Sequence, residues 1–215
     1  MDAVKTGQEK QNTYRKEYSR LSKAMKEGFY LESIAICYAI IEDRLIAFFH
    51  HAGIVSRTNS DLRINRMVYP YLRCLLDKDD KYSIKIKDVS VKENLVCQLL
   101  TMSESRAREI DNCIAARFEG KRRHIASPGY MLDLYKQIQR TIEIDLIADI
   151  FLDFEPWREE RNQLIHALLS KTVISSELAK KECAQNGCSL ARNFDNCLVK
   201  PFKKGNSLRK KYRIQ

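Results

Sequence analysis

Apolar side chains recur at three- and four-residue steps through Ile34, Cys37, Tyr38, Ile41, Leu45 and Phe48. Steps of that length line one face of an α-helix. They predict a helix over residues 30–51, stopped by Gly53. A more polar helix over residues 14–26, stopped by Gly28, precedes it. Two long helices joined through one glycine predict an antiparallel hairpin at the start of the chain.

The next seventy residues are less regular. Asn59, Ser60 and Asp61 offer helix caps, and a helix over residues 62–76 is expected, kinked or interrupted by Pro70. Residues 78–81 form a charged turn, and the alternation in residues 82–89 suits a short strand. Ser90-Val91-Lys92-Glu93 has capping-box spacing and predicts a helix reaching about Met102. A further helix over residues 105–119 ends at Gly120, and Lys121-Arg122-Arg123-His124 is a basic loop. Pro128 then suits the first turn of a long helix whose apolar face runs through Leu132, Tyr135, Ile138, Ile142, Leu146 and Ile150. Pro156 is expected to open the next helix, to about Ser170, and a last helical region breaks near Gly187.

Composition agrees with that pattern. Only 7 Gly and 4 Pro in 215 residues, with 44% hydrophobic residues, predict an ordinary all-α globular domain. A single domain is expected, with a core over residues 13–54 and 128–199, a helical insertion over 55–127 and a basic tail over 200–215. The formal charge is +10, which favours a polyanion such as nucleic acid. Residues 196–215 alone carry seven basic side chains and no acid. Seven cysteines, an odd number without a Cys-x-x-Cys pair, suit free thiols in a reducing cytoplasm and offer no zinc site. The polar opening of the chain excludes a secretory signal there, and Ile34–Ile41 is far shorter than a membrane span. A cytoplasmic protein with no membrane association is expected.

Candidate chemistry narrows to an arginine followed five to seven positions later by a histidine. Chance alone yields about one such pair in a chain with this many arginines and four histidines, and four are present: Arg44 with His50 and with His51, Arg117 with His124, and Arg161 with His166. Spacing therefore does not choose. Arg117 and His124 are separated by Gly120. Arg44 and His51 lie about two helical turns apart, and Arg44 suits a structural role beside the apolar stripe. Arg161 differs because it falls within the stripe of Trp157, Leu164 and Leu168, where an unpaired charge is costly. Asn162 and His166, four residues apart, share the adjacent polar face with Arg158. Glu42 and Asp43 offer acids on the second helix, though a solvated acidic face is the commoner role for such residues.

At these residues the chain resembles the HEPN superfamily of small helical domains, whose catalytic members carry Arg-x4-6-His with a polar residue after the arginine. Arg161-Asn162-x-x-x-His166 has that form, and the segment EGFYLESIAICYAIIEDRL from Glu27 to Leu45 is similar to the family's opening helix pair. The resemblance covers residues 13–54 and 128–172. Leu168 stands where the toxin branch often has tyrosine.

The resemblance implies a HEPN-like helical bundle and a metal-independent, cofactor-free endoribonuclease working as a homodimer, in antiviral defence or growth arrest. It implies His166 as general base or acid, Arg161 on the scissile phosphate and Asn162 as an orienting group. Reaction through the 2′-hydroxyl would leave a 2′,3′-cyclic phosphate and restrict cleavage to RNA. Arg158 and the loop residues Lys121, Arg122 and Arg123 are candidate contacts to the RNA backbone. The alternative is a non-catalytic helical module that binds RNA or protein, and a regulatory protein partner, such as one silencing a toxin, is a further expectation.

Overall fold

A computed structural model describes residues 7–58, 61–78, 84–86, 88–118, 128–170, 176–204, 207–212 and 214. Among these the chain is predominantly helical, as its apolar periodicity predicts. The helices are α1 (Gly7–Glu27), α2 (Tyr30–Ala52), α3 (Tyr69–Leu75), α4 (Val89–Thr101), α5 (Glu104–Arg117), α6 (Tyr130–Thr141), α7 (Ile144–Ser170), α8 (Glu177–Asn193), α9 (Lys200–Lys203) and α10 (Leu208–Lys211). A π-helical segment, Phe194–Val199, joins α8 to α9. Strands β1 (Val55–Thr58) and β2 (Asp61–Ile64) form an antiparallel ribbon with Val55 opposite Ile64.

Both glycine stops work through the same local bonding. After α1, the Phe29 amide donates to the Ala24 carbonyl and Gly28 takes a left-handed φ of 81°. After α2, the Ile54 amide donates to the Phe49 carbonyl and Gly53 has φ 82°. Each bond runs from the second residue beyond the helix to the fourth from its end, and the glycine between adopts positive φ.

Several expected boundaries move. Residues 61–64 are strand rather than helix, and Pro70 sits in the first turn of α3, where its missing N–H costs nothing. Asp88, not Ser90, occupies the N-cap position of α4, and Ser103 caps α5 by accepting from the Arg106 amide at 3.1 Å. No strand forms in the described part of residues 82–89: 84–86 have no regular structure, Val89 already begins α4, and residues 82, 83 and 87 lie outside the described residues. The helix expected from Pro128 breaks at Ile142 and Glu143, leaving Leu146 exposed. Pro156 does not open a helix: it lies inside α7, which runs unbroken past it. Pro156 and Leu152, four residues back, are both exposed, so water can take the carbonyl that proline leaves unbonded.

The chain forms two compact units. The hairpin unit comprises Asp145–Cys197 and the described part of Ala3–Arg44. Its core sets Ile34, Cys37 and Ile41 of α2 among buried Phe151, Phe154, Trp157 and Phe194. Phe194 meets Phe151 and Phe154 edge-on at 5.2 and 5.3 Å. The Trp157 indole donates to the Cys183 carbonyl at 2.8 Å, satisfying its buried N–H.

The second unit, built from Leu45–Ile144 and Leu198–Gln215, takes its core from both ends of that span. Tyr130 is fully buried, lies edge-on to Tyr71 and Tyr212, and donates to the Ala52 carbonyl at 2.8 Å. Phe202 packs on Phe48 at 4.7 Å. Asp111 reaches across from α5 to accept from the Met131 and Leu132 amides at 3.1 and 2.9 Å, which serves the open N-terminus of α6. Burial nevertheless pushes the Asp111 carboxyl up, against those bonds.

The basic tail is therefore not a plain solvated extension. Phe202, Leu208, Tyr212 and Ile214 are buried, and Arg209 donates to the His50 carbonyl at 3.1 Å. Lys211 and Tyr212 both donate to the Asp133 carboxylate. Among the described residues no helix is long and apolar enough to cross a membrane.

Candidate functional site

Helix α7 carries four of the residues singled out by sequence: Arg158, Arg161, Asn162 and His166. Its buried face runs through Ile147, Ile150, Phe151, Phe154, Trp157 and Leu164 at helical spacing. Arg161 lies on that face, between Trp157 and Leu164, and is half-buried.

What holds Arg161 there is neutral. Its guanidinium carbon lies 4.1 Å from the centre of the Tyr38 ring, on α2. Its Nη1 donates to Asn162 Oδ1 at 2.7 Å. Its Nε is buried and makes no hydrogen bond. Among the described residues no carboxylate pairs with it. A cation on an aromatic face gains roughly 0.5–2 kcal/mol, and it keeps its full charge. The guanidinium is thus fixed in direction without a countercharge among the described residues.

Its field still reaches the interior. Burial and the charge of Glu160 push the Cys183 thiol up to about 12, while the Trp157 hydrogen bond and Arg161 oppose that rise.

His166 is exposed and makes no hydrogen bond with the described residues. Five residues along an α-helix turn the side-chain direction by about 140° and advance it about 7.5 Å. Arg161 points at Tyr38, so His166 points elsewhere. The structure brings Arg161 and Asn162 together and leaves His166 apart within one chain. Asn162, half-buried, spends its Oδ1 on Arg161 rather than on the histidine.

Arg158 is half-buried, with Glu155 3.9 Å away and the Phe154 ring centre at 6.0 Å. Lys121, Arg122 and Arg123 lie outside the described residues, as does His124. Arg44 is structural: its Nη1 donates to Asp195 at 2.8 Å and its Nη2 to Asp43 at 2.9 Å, over the Tyr14 ring at 3.7 Å. Asp43 is thereby engaged on its own helix. Among the described residues no group of three histidine, cysteine or acidic side chains could hold a metal ion.

Tyr38 is the neighbour of the candidate site that sequence reasoning treated as plain core. Its signal was present, because a tyrosine stood at a stripe position that aliphatic residues hold in the turns around it. Compared with protein-family models, curated proteins and solved structures, the chain matches none.

Proposed function

We propose that the chain is a HEPN-type, metal-independent endoribonuclease that cleaves RNA by 2′-hydroxyl attack at a site shared between two copies. The observation that carries this reading is the seat of Arg161. A guanidinium stacked on Tyr38 and oriented by a neutral amide, with no carboxylate partner among the described residues, is prepared for an external anion. Phosphate matches its planar fork bidentately.

In this reading Arg161 donates to the non-bridging oxygens of the scissile phosphate and offsets the charge that develops on them. Asn162, with Oδ1 committed to Arg161, has its amide N–H groups left for a phosphate oxygen. The His166 imidazole takes the proton from the 2′-hydroxyl. The 2′-oxygen forms its bond to phosphorus as the bond to the 5′-oxygen breaks. The 5′-oxygen departs with a proton taken from water, leaving a 2′,3′-cyclic phosphate. Because Arg161 and His166 diverge by about 140° on one helix, the phosphate meets both when α7 of a second copy supplies the missing half. The surplus of ten positive charges favours the encounter with RNA. Antiviral defence or growth arrest is the setting this activity suits.

The test is incubation of the purified chain with single-stranded RNA in EDTA, with products read for 2′,3′-cyclic ends. Wild type cleaves and the Arg161→Ala and His166→Ala variants do not. Equal cleavage by wild type and both variants overturns the reading.

The exposed, unoriented imidazole of His166 is the observation that favours a second reading, a non-catalytic module gripping RNA through Arg161. Under it, RNA binding falls in Arg161→Ala, stays unchanged in His166→Ala, and no product forms with any variant.

A further inference from the structure

Cysteines 37 and 188 meet inside the hairpin unit although they lie far apart in sequence. The Cys37 thiol donates to Cys188 Sγ across 3.7 Å. Cys37 is fully buried on α2, and Cys188 is half-buried on α8. The helices come close here because residue 187 is glycine. A β-carbon placed on Gly187 would sit 3.1 Å from Cys37 Cβ and 2.7 Å from the Trp157 ring. The backbone of α8 thus runs directly against Cys37, and the two sulfur atoms lie in contact with no residue between them.

We propose that Cys37 and Cys188 are a site of reversible oxidative modification, closing to a disulfide when the chain meets a hydroperoxide.

The two thiols are unequal in the way the chemistry needs. Cys188 is the one a small oxidant can reach. The hydrogen bond from Cys37 lowers the Cys188 thiol below its ordinary range, against burial and with help from the Arg192 charge. The same bond, and then burial, raise Cys37, which keeps its proton. Thiolate character and access together select which sulfur reacts first.

The Cys188 thiolate attacks one oxygen of the hydroperoxide, an S–O bond forms and the O–O bond breaks. With hydrogen peroxide the departing hydroxide takes up a proton and leaves as water. The Cys37 sulfur then displaces the hydroxyl of the Cys188 sulfenic acid. The S–S bond forms, the S–O bond breaks, and the Cys37 proton leaves with the hydroxyl as a second water. Two thiols are oxidised and one peroxide is reduced. A dithiol reductant reverses the step.

Two other arrangements compete. Cys183 lies five residues before Cys188 on α8 and is fully buried. Cys74 neighbours Cys113, which is exposed, in the second unit, and burial followed by that neighbour raises the Cys74 thiol.

The experiment treats the reduced full-length chain with stoichiometric hydrogen peroxide, blocks free thiols, and maps tryptic peptides without reduction. Cleavage after Lys26, Arg44, Lys181 and Arg192 places Cys37 on one peptide and both Cys183 and Cys188 on another. Fragmentation between residues 183 and 188 therefore identifies the joined sulfur. A Cys37–Cys188 link must form in wild type and in a Cys74→Ser/Cys113→Ser variant, vanish in Cys188→Ser, and disappear with dithiothreitol. Circular dichroism of Cys188→Ser, unchanged from wild type, separates loss of the link from loss of the fold. Because the closed loop spans 151 positions, the oxidised chain should also melt at higher temperature than the reduced chain. Overoxidation of Cys188 with Cys37 still free, or a dominant link through Cys183, overturns the proposal. The readout is the covalent link itself, so it stands or falls separately from RNA cleavage.

Discussion

Arg44 and Arg161 look alike in outline: each is a half-buried arginine on a long helix, and each lies over a tyrosine ring. Arg44 is completed by two carboxylates, Asp195 and Asp43, at 2.8 and 2.9 Å. Arg161 is completed by one neutral amide oxygen at 2.7 Å. The first arrangement is closed, since charge is matched inside the fold and the group can only hold elements together. The second is open, since direction is fixed but charge is not answered. An arginine's surroundings, more than its burial, separate a structural cation from one available to a ligand.

The contrast can be broken most forcefully at Arg44. Arg44→Ala removes the cation bonded to Asp195 at 2.8 Å and should cost about 3 kcal/mol in urea unfolding, with RNA affinity within about twofold of wild type by the same argument. A variant that unfolds no more easily than wild type would show that the closed seat holds nothing. Next comes Arg161→Ala, which should cut RNA cleavage by about 100-fold while costing no more than about 1 kcal/mol of stability. If both variants lose stability equally, the two seats are the same kind of thing. Asn162→Asp sharpens the comparison by turning the open seat into a closed one. It should weaken RNA binding about tenfold, as a neighbouring carboxylate competes with phosphate, and raise stability by about 0.5 kcal/mol. The smallest change is Tyr38→Leu, which removes the aromatic face and should cost about 1 kcal/mol of stability, read as a lower urea midpoint. A midpoint identical to wild type would mean that the ring does not hold Arg161.

The elements legible in sequence were those whose signals agree with one another. In α1 and α2, apolar spacing and terminal glycines point to the same C-terminal ends, which the structure moves by one residue each, whereas α1 starts at Gly7, seven residues before the expected start. Elsewhere one signal spoke alone. Pro156 read as a helix start because first-turn N–H groups have no helical partner to lose; on the exposed face of α7 its missing N–H is tolerated inside the helix. Ser90 had the right spacing to its glutamate, but Asp88 lay two residues earlier and the helix began behind it. The apolar stripe from Leu132 to Ile150 keeps its phase across Ile142 and Glu143, so periodicity could not register the break between α6 and α7. At the site, Arg161 was legible as a misfit in a stripe. Its partner Tyr38 and the thiol contact of Cys37 with Cys188 were not, because each depends on which helix lies opposite. The tail misled in another way: its run of positive charge hid Phe202, Leu208, Tyr212 and Ile214.

Those four residues set an order of events during synthesis. The core they complete has its other half in Leu45–Ile144, and all of Asp145–Cys197 is translated in between. At ordinary ribosomal speed, about 5–20 residues per second, that gap lasts roughly three to ten seconds. Throughout it, Tyr130 waits without Tyr212 and Phe48 without Phe202. The second unit therefore begins in the middle of the chain and carries an uncovered aromatic cluster until the segment from Leu198 onward leaves the exit tunnel.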